Sequence, residues 1–267
     1  MTADPPNRPA LDPTALTASG WRVEVLAESP STNADATARA LAGEPPGLVV
    51  VAEHQPAGRG RLDRAWVSPP RAALTFSAVL APHGVPLERW PWLPLVTGLA
   101  VLDGVRRATG LAATLKWPND VLVDDLKVAG ILLQRVERPG GPVAVVGVGL
   151  NVSSTREELP VPTATSLELA GAAAVDRTEL LVAVLESLTG RYDAWRAERG
   201  KGPRAAYVAA CSTVGRAVRV ELPGEGALEG RAIGVDPDGR LEVASGGHVR
   251  ALAAGDVVHV RPAHSGG

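Results

Sequence analysis

Apolar and polar positions alternate in WRVEVLAE, from residue 21, with the two-residue period of a strand that has one buried face. The following SPSTNADATARALAG offers Ser31, Thr32 or Asn33 as a helix N-cap, a weak apolar stripe of Ala34, Ala38 and Leu41, and Gly43 as a stop. GLVVVAEHQ is a continuous apolar run of strand length, which predicts a strand buried on both faces, and ALTFSAVLAP predicts another strand. WPWLPLVTGLAVLDGVRRATG carries Leu95, Leu99, Leu102 and Val105 at helical spacing, with arginines in its last turn and Gly110 beyond them. TLKW, DVLVDD and KVAGILLQRVE read as strands, the last two joined by a hairpin at DD, and PVAVVGVGLNV as a further buried strand. A long amphipathic helix begins near Asp176 and is closed by Gly200. Beyond Cys211 short alternating strands are separated by PGEG, DPDG and SGG, the texture of a small all-β barrel.

These elements predict an α+β chain in which a mixed β-sheet with flanking helices is followed by a small β-barrel. The expected division is a disordered lead rich in Pro, Asp, Asn and Thr over 1–18, a large domain over 19–208 and an autonomous small domain over 209–267. The linker falls at 203–212. There is no internal repeat and no heptad pattern.

Composition narrows the classes. The 267 residues are 45% hydrophobic, enough for a proper core, and the net charge of -2 gives no general pull toward nucleic acid or an acidic membrane surface. Cys211 is alone, so no intramolecular disulfide can form. No apolar run approaches the ~20 residues of a membrane span, and the first residues lack the basic and apolar regions of a signal peptide. The expectation is a cytoplasmic protein without a membrane or nucleic-acid partner.

Against that plain background one stretch stands out. GRGRLDRAW, at 58–66, sets three arginines within six residues, right after a buried strand. Like charges so close repel, and glycines let a backbone approach a ligand, so the loop reads as an anion cradle. It matches neither a phosphate-binding Walker loop nor the dinucleotide fingerprint. A second signal is lysine usage. Lys and Arg total 27, but only Lys116, Lys127 and Lys201 are lysines, which leaves 24 arginines. Two of the three lie in LKWPNDVLVDDLKVAGILLQ.

Taken singly, Ser-Thr-Asn is most often a helix cap, Gln55 a loop residue and GVGLN a packed strand. In combination, the chain resembles the biotin protein ligase family, also called biotin–[acetyl-CoA-carboxylase] ligase. The family pattern is Ser-Thr-Asn, then Gln, then G-R-G-R-x-G-R-x-W, K-W-P-N-D, a lysine seven residues past that Asp within K-x-A-G-I-L, and G-x-G-x-N. Here these stand as STN from Ser31, Gln55, GRGRLDRAW from Gly58, KWPND from Lys116, KVAGILL from Lys127, and GVGLN ending at Asn151. One departure is Asp63, where the family has glycine.

The resemblance implies a class II synthetase-like catalytic domain with a C-terminal SH3-like barrel. It implies biotin and ATP as substrates with Mg²⁺, formation of biotinyl-5′-AMP, and transfer of biotin to a lysine on the biotin carboxyl carrier domain of acetyl-CoA carboxylase. By resemblance the catalytic residues are Lys127, Arg59, Arg61 and Asp120. The last either touches the metal or receives a proton from the acceptor lysine, and no metal ligand is assigned. Biotin is expected against Ser31, Thr32, Asn33, Gln55, Gly58, Arg59, Gly60, Arg61, Lys127, Gly130, Leu132, Gly147 and Gly149. ATP is expected against Arg61, Arg64, Trp66, Lys116, Asn119, Lys127, Ile131 and Asn151, with Trp66 stacked on adenine.

A lipoate ligase or octanoyltransferase of the same architecture is the alternative enzyme, and the intact GRGR argues against it. A non-catalytic biotin-binding module is a third reading. A repressor of the same family would need a winged helix ahead of Ser-Thr-Asn, where thirty acidic, Pro-rich residues stand here. A homodimer is compatible with the sequence.

Overall fold

Seven strands form the larger of two sheets, in the order β1-β2-β5-β9-β8-β7-β6. In a computed structural model of the chain these are β1 (Arg22–Leu26), β2 (Leu48–Ala52), β5 (Ala73–Leu80), β6 (Ala113–Lys116), β7 (Asp120–Val123), β8 (Leu126–Val136) and β9 (Val143–Asn151). The structure describes residues 8–259 except 223 and 225. The sheet is mixed: β1 and β2 run parallel and every other pair is antiparallel. The expected hairpin between β7 and β8 turns at Asp124 and Asp125, with φ of 50° and 60°, left-handed values that Asp tolerates better than most residues. A small hairpin of β3 (Gly58–Arg59) and β4 (Ala65–Trp66) carries the arginine loop.

The helices are α1 (Pro13–Leu16), α2 (Thr32–Leu41), α3 (Trp92–Thr109), α4 (Arg177–Ala197) and α5 (Arg204–Ala210). Leu95, Leu99, Leu102 and Val105 of α3 are buried in the main core together with Leu180, Leu181, Val184 and Leu188 of α4. Asp176 caps α4, accepting from the amides of Thr178 at 2.7 Å and Glu179 at 3.2 Å. Ser31 is the N-cap of α2. The stripe expected on that helix is corrected. Ala34, Ala38 and Leu41 are exposed, and Thr32, Asn33, Ala36 and Ala40 are buried. Alanine is abundant all round this helix, so hydrophobicity does not choose the face; packing on Val50, Val79 and Val145 does.

The C-terminal unit is a five-stranded antiparallel sheet, SH3-like, in the order β13-β12-β11-β10-β14. Its strands are β10 (Ala217–Leu222), β11 (Gly226–Val235), β12 (Leu241–Ser245), β13 (His248–Leu252) and β14 (Asp256–His259). The expected PGEG turn falls partly on 223 and 225, outside the described residues. This unit is packed against the large part of the chain. Val218, Val220, Val235, Leu241, Val243 and Val257 are buried in one continuous core with residues of the large sheet. The DPDG turn is inserted between them: the indoles of Trp117 and Trp92 donate to the carbonyls of Gly239 at 2.9 Å and Pro237 at 2.8 Å. These two hydrogen bonds satisfy buried indoles of the large part with carbonyls of the C-terminal unit. Helix α5, where a linker was expected, leads into it, and Ser212 N–H donates to Leu115 O at 2.7 Å.

The disordered lead expected over 1–18 is likewise corrected from residue 8 onward; residues 1–7 lie outside the described residues. Arg8 pairs with Glu158, Leu11 is buried, and Asp12 caps α1. A Pro- and Asp-rich composition signals weak self-burial, but here a preformed surface supplies partners.

Candidate functional site

The open end of the large sheet is floored by two adjacent rows of facing residues. One row runs Thr75, Gly149, Gly130, Asp120 across β5, β9, β8 and β7; the other runs Ser77, Gly147, Leu132. Glycine is required where other side chains descend onto the sheet. A Cβ at Gly147 would overlap the amide of Asn33, and one at Gly149 would overlap the indole of Trp66. The GVG motif is thus a floor, and α2 and the arginine loop are its two covers.

A polar network sits over the Gly147 row. Gln55 Oε1 accepts from Thr32 N–H at 2.8 Å and lies 3.1 Å from Thr32 Oγ1. Ser77 is fully buried, with Oγ 2.6 Å from Asn33 Oδ1 and 2.8 Å from Thr32 Oγ1. Its single proton goes to Asn33 Oδ1, which can only accept. Asn33 Nδ2 in turn donates to Gln134 Oε1 at 3.1 Å. Thr32, Asn33 and Gln55 are therefore brought together, with Ser31 holding the helix start. Ser77 and Gln134 were not expected. Hydroxyls at the alternate positions Thr75 and Ser77 in the apolar run ALTFSAVL were the available sign of Ser77; Gln134 carried none.

Cations gather at the Gly130 row. The Lys127 ammonium lies 2.7 Å from Asp120 Oδ1, an ion-pair contact whose angles fall outside hydrogen-bond geometry. Its backbone is clamped from both sides, Lys127 N–H donating to Thr163 O and Thr165 N–H to Lys127 O, each at 2.8 Å. Arg61 donates to Asn119 Oδ1 at 3.0 Å, and Asn119 Nδ2 to Ile131 O at 3.0 Å. Burial pulls the Arg61 guanidinium below its ordinary pKa, against the opposing charges of Asp120 and Asp256. Lys116 faces Asp120 across β6 and β7.

Several expected residues are placed otherwise. Arg59 is exposed, because Gly58 before it in β3 is the buried position and alternate residues face opposite ways. The Ile131 side chain is in the core, on the opposite face of β8 from Gly130 and Leu132, so only its backbone meets Asn119. Asn151 is buried and donates to Thr165 O at 3.0 Å, tying β9 to the segment that clamps Lys127. Trp66 lies on Gly149 and Gly130, on the floor assigned to biotin, with a buried indole N–H that has no hydrogen-bond partner among the described residues. Gly58 and Gly60 sit in the hairpin below it, Gly60 N–H donating to Arg64 O at 2.7 Å. Arg64 pairs with Asp256 of β14. The left-handed residue of the loop is Leu62, with φ 55°, next to the Asp63 that departs from the family pattern.

The C-terminal sheet borders this site through His259. It contacts Thr213 Oγ1 at 3.1 Å and Arg216 Nη1 at 3.3 Å, and Thr213 Oγ1 accepts from Trp117 N–H at 3.2 Å. Burial, then the charges of Lys116 and Arg216, lower its pKa to about 4. An unfolded histidine titrates near ~6.5, so acid favours the unfolded chain. The stability from neutral His259 is complete above that unfolded value and is lost as pH falls through about 4. Thermal unfolding of the parent should therefore drop more steeply from neutral pH to pH 4 than that of His259→Asn. Parallel pH profiles would contradict it.

Among the described residues no group of three or more His, Cys, Asp or Glu could hold a metal ion, and no helix is long and apolar enough to cross a membrane. Residues 24–152 match the Biotin/lipoate A/B protein ligase family and residues 213–260 the Biotin protein ligase C terminal domain. The chain is 43% identical over 267 residues to a biotin–[acetyl-CoA-carboxylase] ligase of Mycobacterium tuberculosis, covering 95% of this chain and 97% of that one. It is 36% identical over 232 residues to the corresponding ligase of Paracoccus denitrificans, covering 81% and 92%. The structure is similar to a biotin protein ligase from Aquifex aeolicus solved in complex with biotin and ATP, with TM-score 0.76, 28% identity, and coverage of 90% of this chain and 99% of that one.

Proposed function

Because the chain belongs to the biotin protein ligase family, we propose that it joins biotin to the carrier domain of acetyl-CoA carboxylase in two steps at this site. In the first, a carboxylate oxygen of biotin attacks the α-phosphorus of ATP, the bond to the β-phosphate breaks, and pyrophosphate leaves as biotinyl-5′-AMP forms. In the second, the ε-amine of a carrier lysine attacks the acyl carbon, AMP leaves, and the amine gives up a proton. The observation that carries this reading is the meeting of two cations, Lys127 and Arg61, beside a glycine-floored slot of the sheet.

The physical difficulty of the first step is bringing two anions together. Fixed positive charge at a water-poor site offsets the repulsion. Lys127 is suited to the converging carboxylate and phosphate oxygens, and Arg61, anchored on Asn119, to the phosphate. Thr32, Asn33, Gln55 and Ser77 offer donors and acceptors for the cyclic urea of biotin over the Gly147–Leu132 row. Trp66 divides that slot from the nucleotide. Lipoate, with an apolar dithiolane, has no donors or acceptors to offer this network. No protein cage for a metal exists among the described residues, so Mg²⁺ is assigned to the ATP phosphates, where it commonly keeps most of its water. Asp120, held against Lys127, is assigned the acceptor's proton, a role that the Lys127 contact supports. The reaction is assigned to the cytoplasm, with no nucleic-acid partner.

Pyrophosphate release on mixing the protein with biotin and MgATP tests this, with lipoate and octanoate as parallel substrates. Release with either of those and not with biotin would overturn it. Gly149→Ala should weaken biotin binding by about 1–3 kcal/mol, the usual cost of overpacking a filled site, because the new methyl meets the Trp66 ring. Isothermal titration with biotin measures it, and an unchanged affinity would remove Gly149 from the slot.

A further inference from the structure

The arginine loop has little of its own to hold it in place. Its ladder consists of two residue pairs, Gly58 with Trp66 and Arg59 with Ala65, and an isolated hairpin is marginal in water. Leu62 at its tip is left-handed and exposed, and its three arginines repel one another. Among the described residues two side-chain ties bind this tip to the rest of the protein. Arg61 donates to Asn119 within the large sheet, and Arg64 pairs with Asp256 of the C-terminal sheet.

We propose that Asp256 is a positioning residue, fastening the tip of the arginine loop to the C-terminal sheet through Arg64 so that the loop is held over the glycine floor before nucleotide arrives. The anchor is tied into the C-terminal sheet. β14 pairs with β10 from Asp256, opposite Glu221, to His259, and the adjacent Val257 is buried in the shared core. The carboxylate also faces more than one cation. Burial pushes its pKa up, but the hydrogen bond and charge of Arg64, followed by the charges of Lys116 and Arg61, hold it below the usual carboxylate range. Asp256 is thus ionised at neutral pH, and its charge draws Arg64, Arg61 and Lys116 toward one place. This inference rests on the proposed reading of Arg61 and the glycine floor as the place where biotinyl-5′-AMP forms, and it gives the C-terminal unit a part in the reaction.

Limited trypsin digestion of the ligand-free protein tests it, following cleavage after Arg61 relative to cleavage after Lys201. Asp256→Asn should speed the Arg61 cut about three- to fivefold, the upper range of an exposed ion pair. Asp256→Glu, which keeps the charge, should restore most of the protection. KM for MgATP should rise by a similar factor in Asp256→Asn, with kcat within about twofold, since the loop is loosened and its chemistry kept. In the parent itself, raising KCl should speed the Arg61 cut by screening the pair, whether or not any variant folds. Cleavage that is insensitive to both the substitution and salt, or a Glu variant as open as the Asn variant, would overturn the proposal. Failure of the parent to release pyrophosphate from biotin and MgATP would instead overturn the underlying reading of the site.

Discussion

Lys127→Arg should lower pyrophosphate release from biotin and MgATP by about 10²–10³-fold, the loss that follows removal of one preorganised donor to developing charge, although the charge is kept. The ammonium sits across Gly130, 2.7 Å from Asp120, with its backbone clamped by Thr163 and Thr165. Around it a compact point charge can turn toward two oxygens that approach each other. A guanidinium is broader and planar, and prefers two acceptors in its own plane. It would also have to fit where a Cβ on Gly130 would already lie only 3.1 Å from the Lys127 Nζ. Lys201→Arg is the control, since that lysine is exposed in the turn between α4 and α5. Single-turnover measurement of pyrophosphate after mixing separates the step from carrier binding. A Lys127→Arg enzyme within a few-fold of the parent would leave this lysine with no special part in adenylate formation.

Glu53→Ala should destabilise the fold by about 3–5 kcal/mol, the cost of leaving one member of a buried ion pair alone. Glu53 and Arg177 are both buried, with Nη2 to Oε2 at 2.6 Å. Glu53 Oε1 also accepts from Leu11 N–H at 2.7 Å, and Arg177 donates to Pro9 O at 2.6 Å. One pair therefore joins the end of β2, the start of α4 and the N-terminal segment, two residues before Gln55. Such a loss is a large share of the roughly 5–15 kcal/mol that holds a typical domain folded. The double change Glu53→Leu with Arg177→Met should recover much of it, because no unpaired charge stays behind. Urea unfolding midpoints decide the matter; a single variant within about 1 kcal/mol of the parent would mean that water reaches the pair.

Much of the site is legible in the order of residues alone. The motifs from Ser31 to Asn151 bring Thr32, Asn33, Gln55, Arg61, Asn119, Asp120 and Lys127 to one end of the sheet. The glycines of GVG are legible as glycines but not as a floor, because that meaning depends on Asn33 and Trp66, which descend from other parts of the chain. The outward turn of Arg59 follows from alternation in a strand of two residues, too short to show any period. Ile131 is a related case: its motif marks the strand, and the strand shows only its backbone to Asn119.

The types and order of most elements, the arginine-rich loop and the family can be read from the order of residues. Each of these rests on a short-range pattern: a period of two or 3.6, a cap, a turn or a spaced motif. The tertiary structure alone decided which face of α2 is buried, that Ser77 underlies the polar network, and that the lead is packed from residue 8 onward. It also decided that the C-terminal sheet shares its core with the catalytic part and reaches Arg64 through Asp256, 192 positions away. The physical reason is common to all of them. Hydrophobicity says that a residue will leave water, but not which surface will receive it. A charge on an alternating strand looks the same whether it faces solvent or a distant arginine, and only the closed chain supplies the partner.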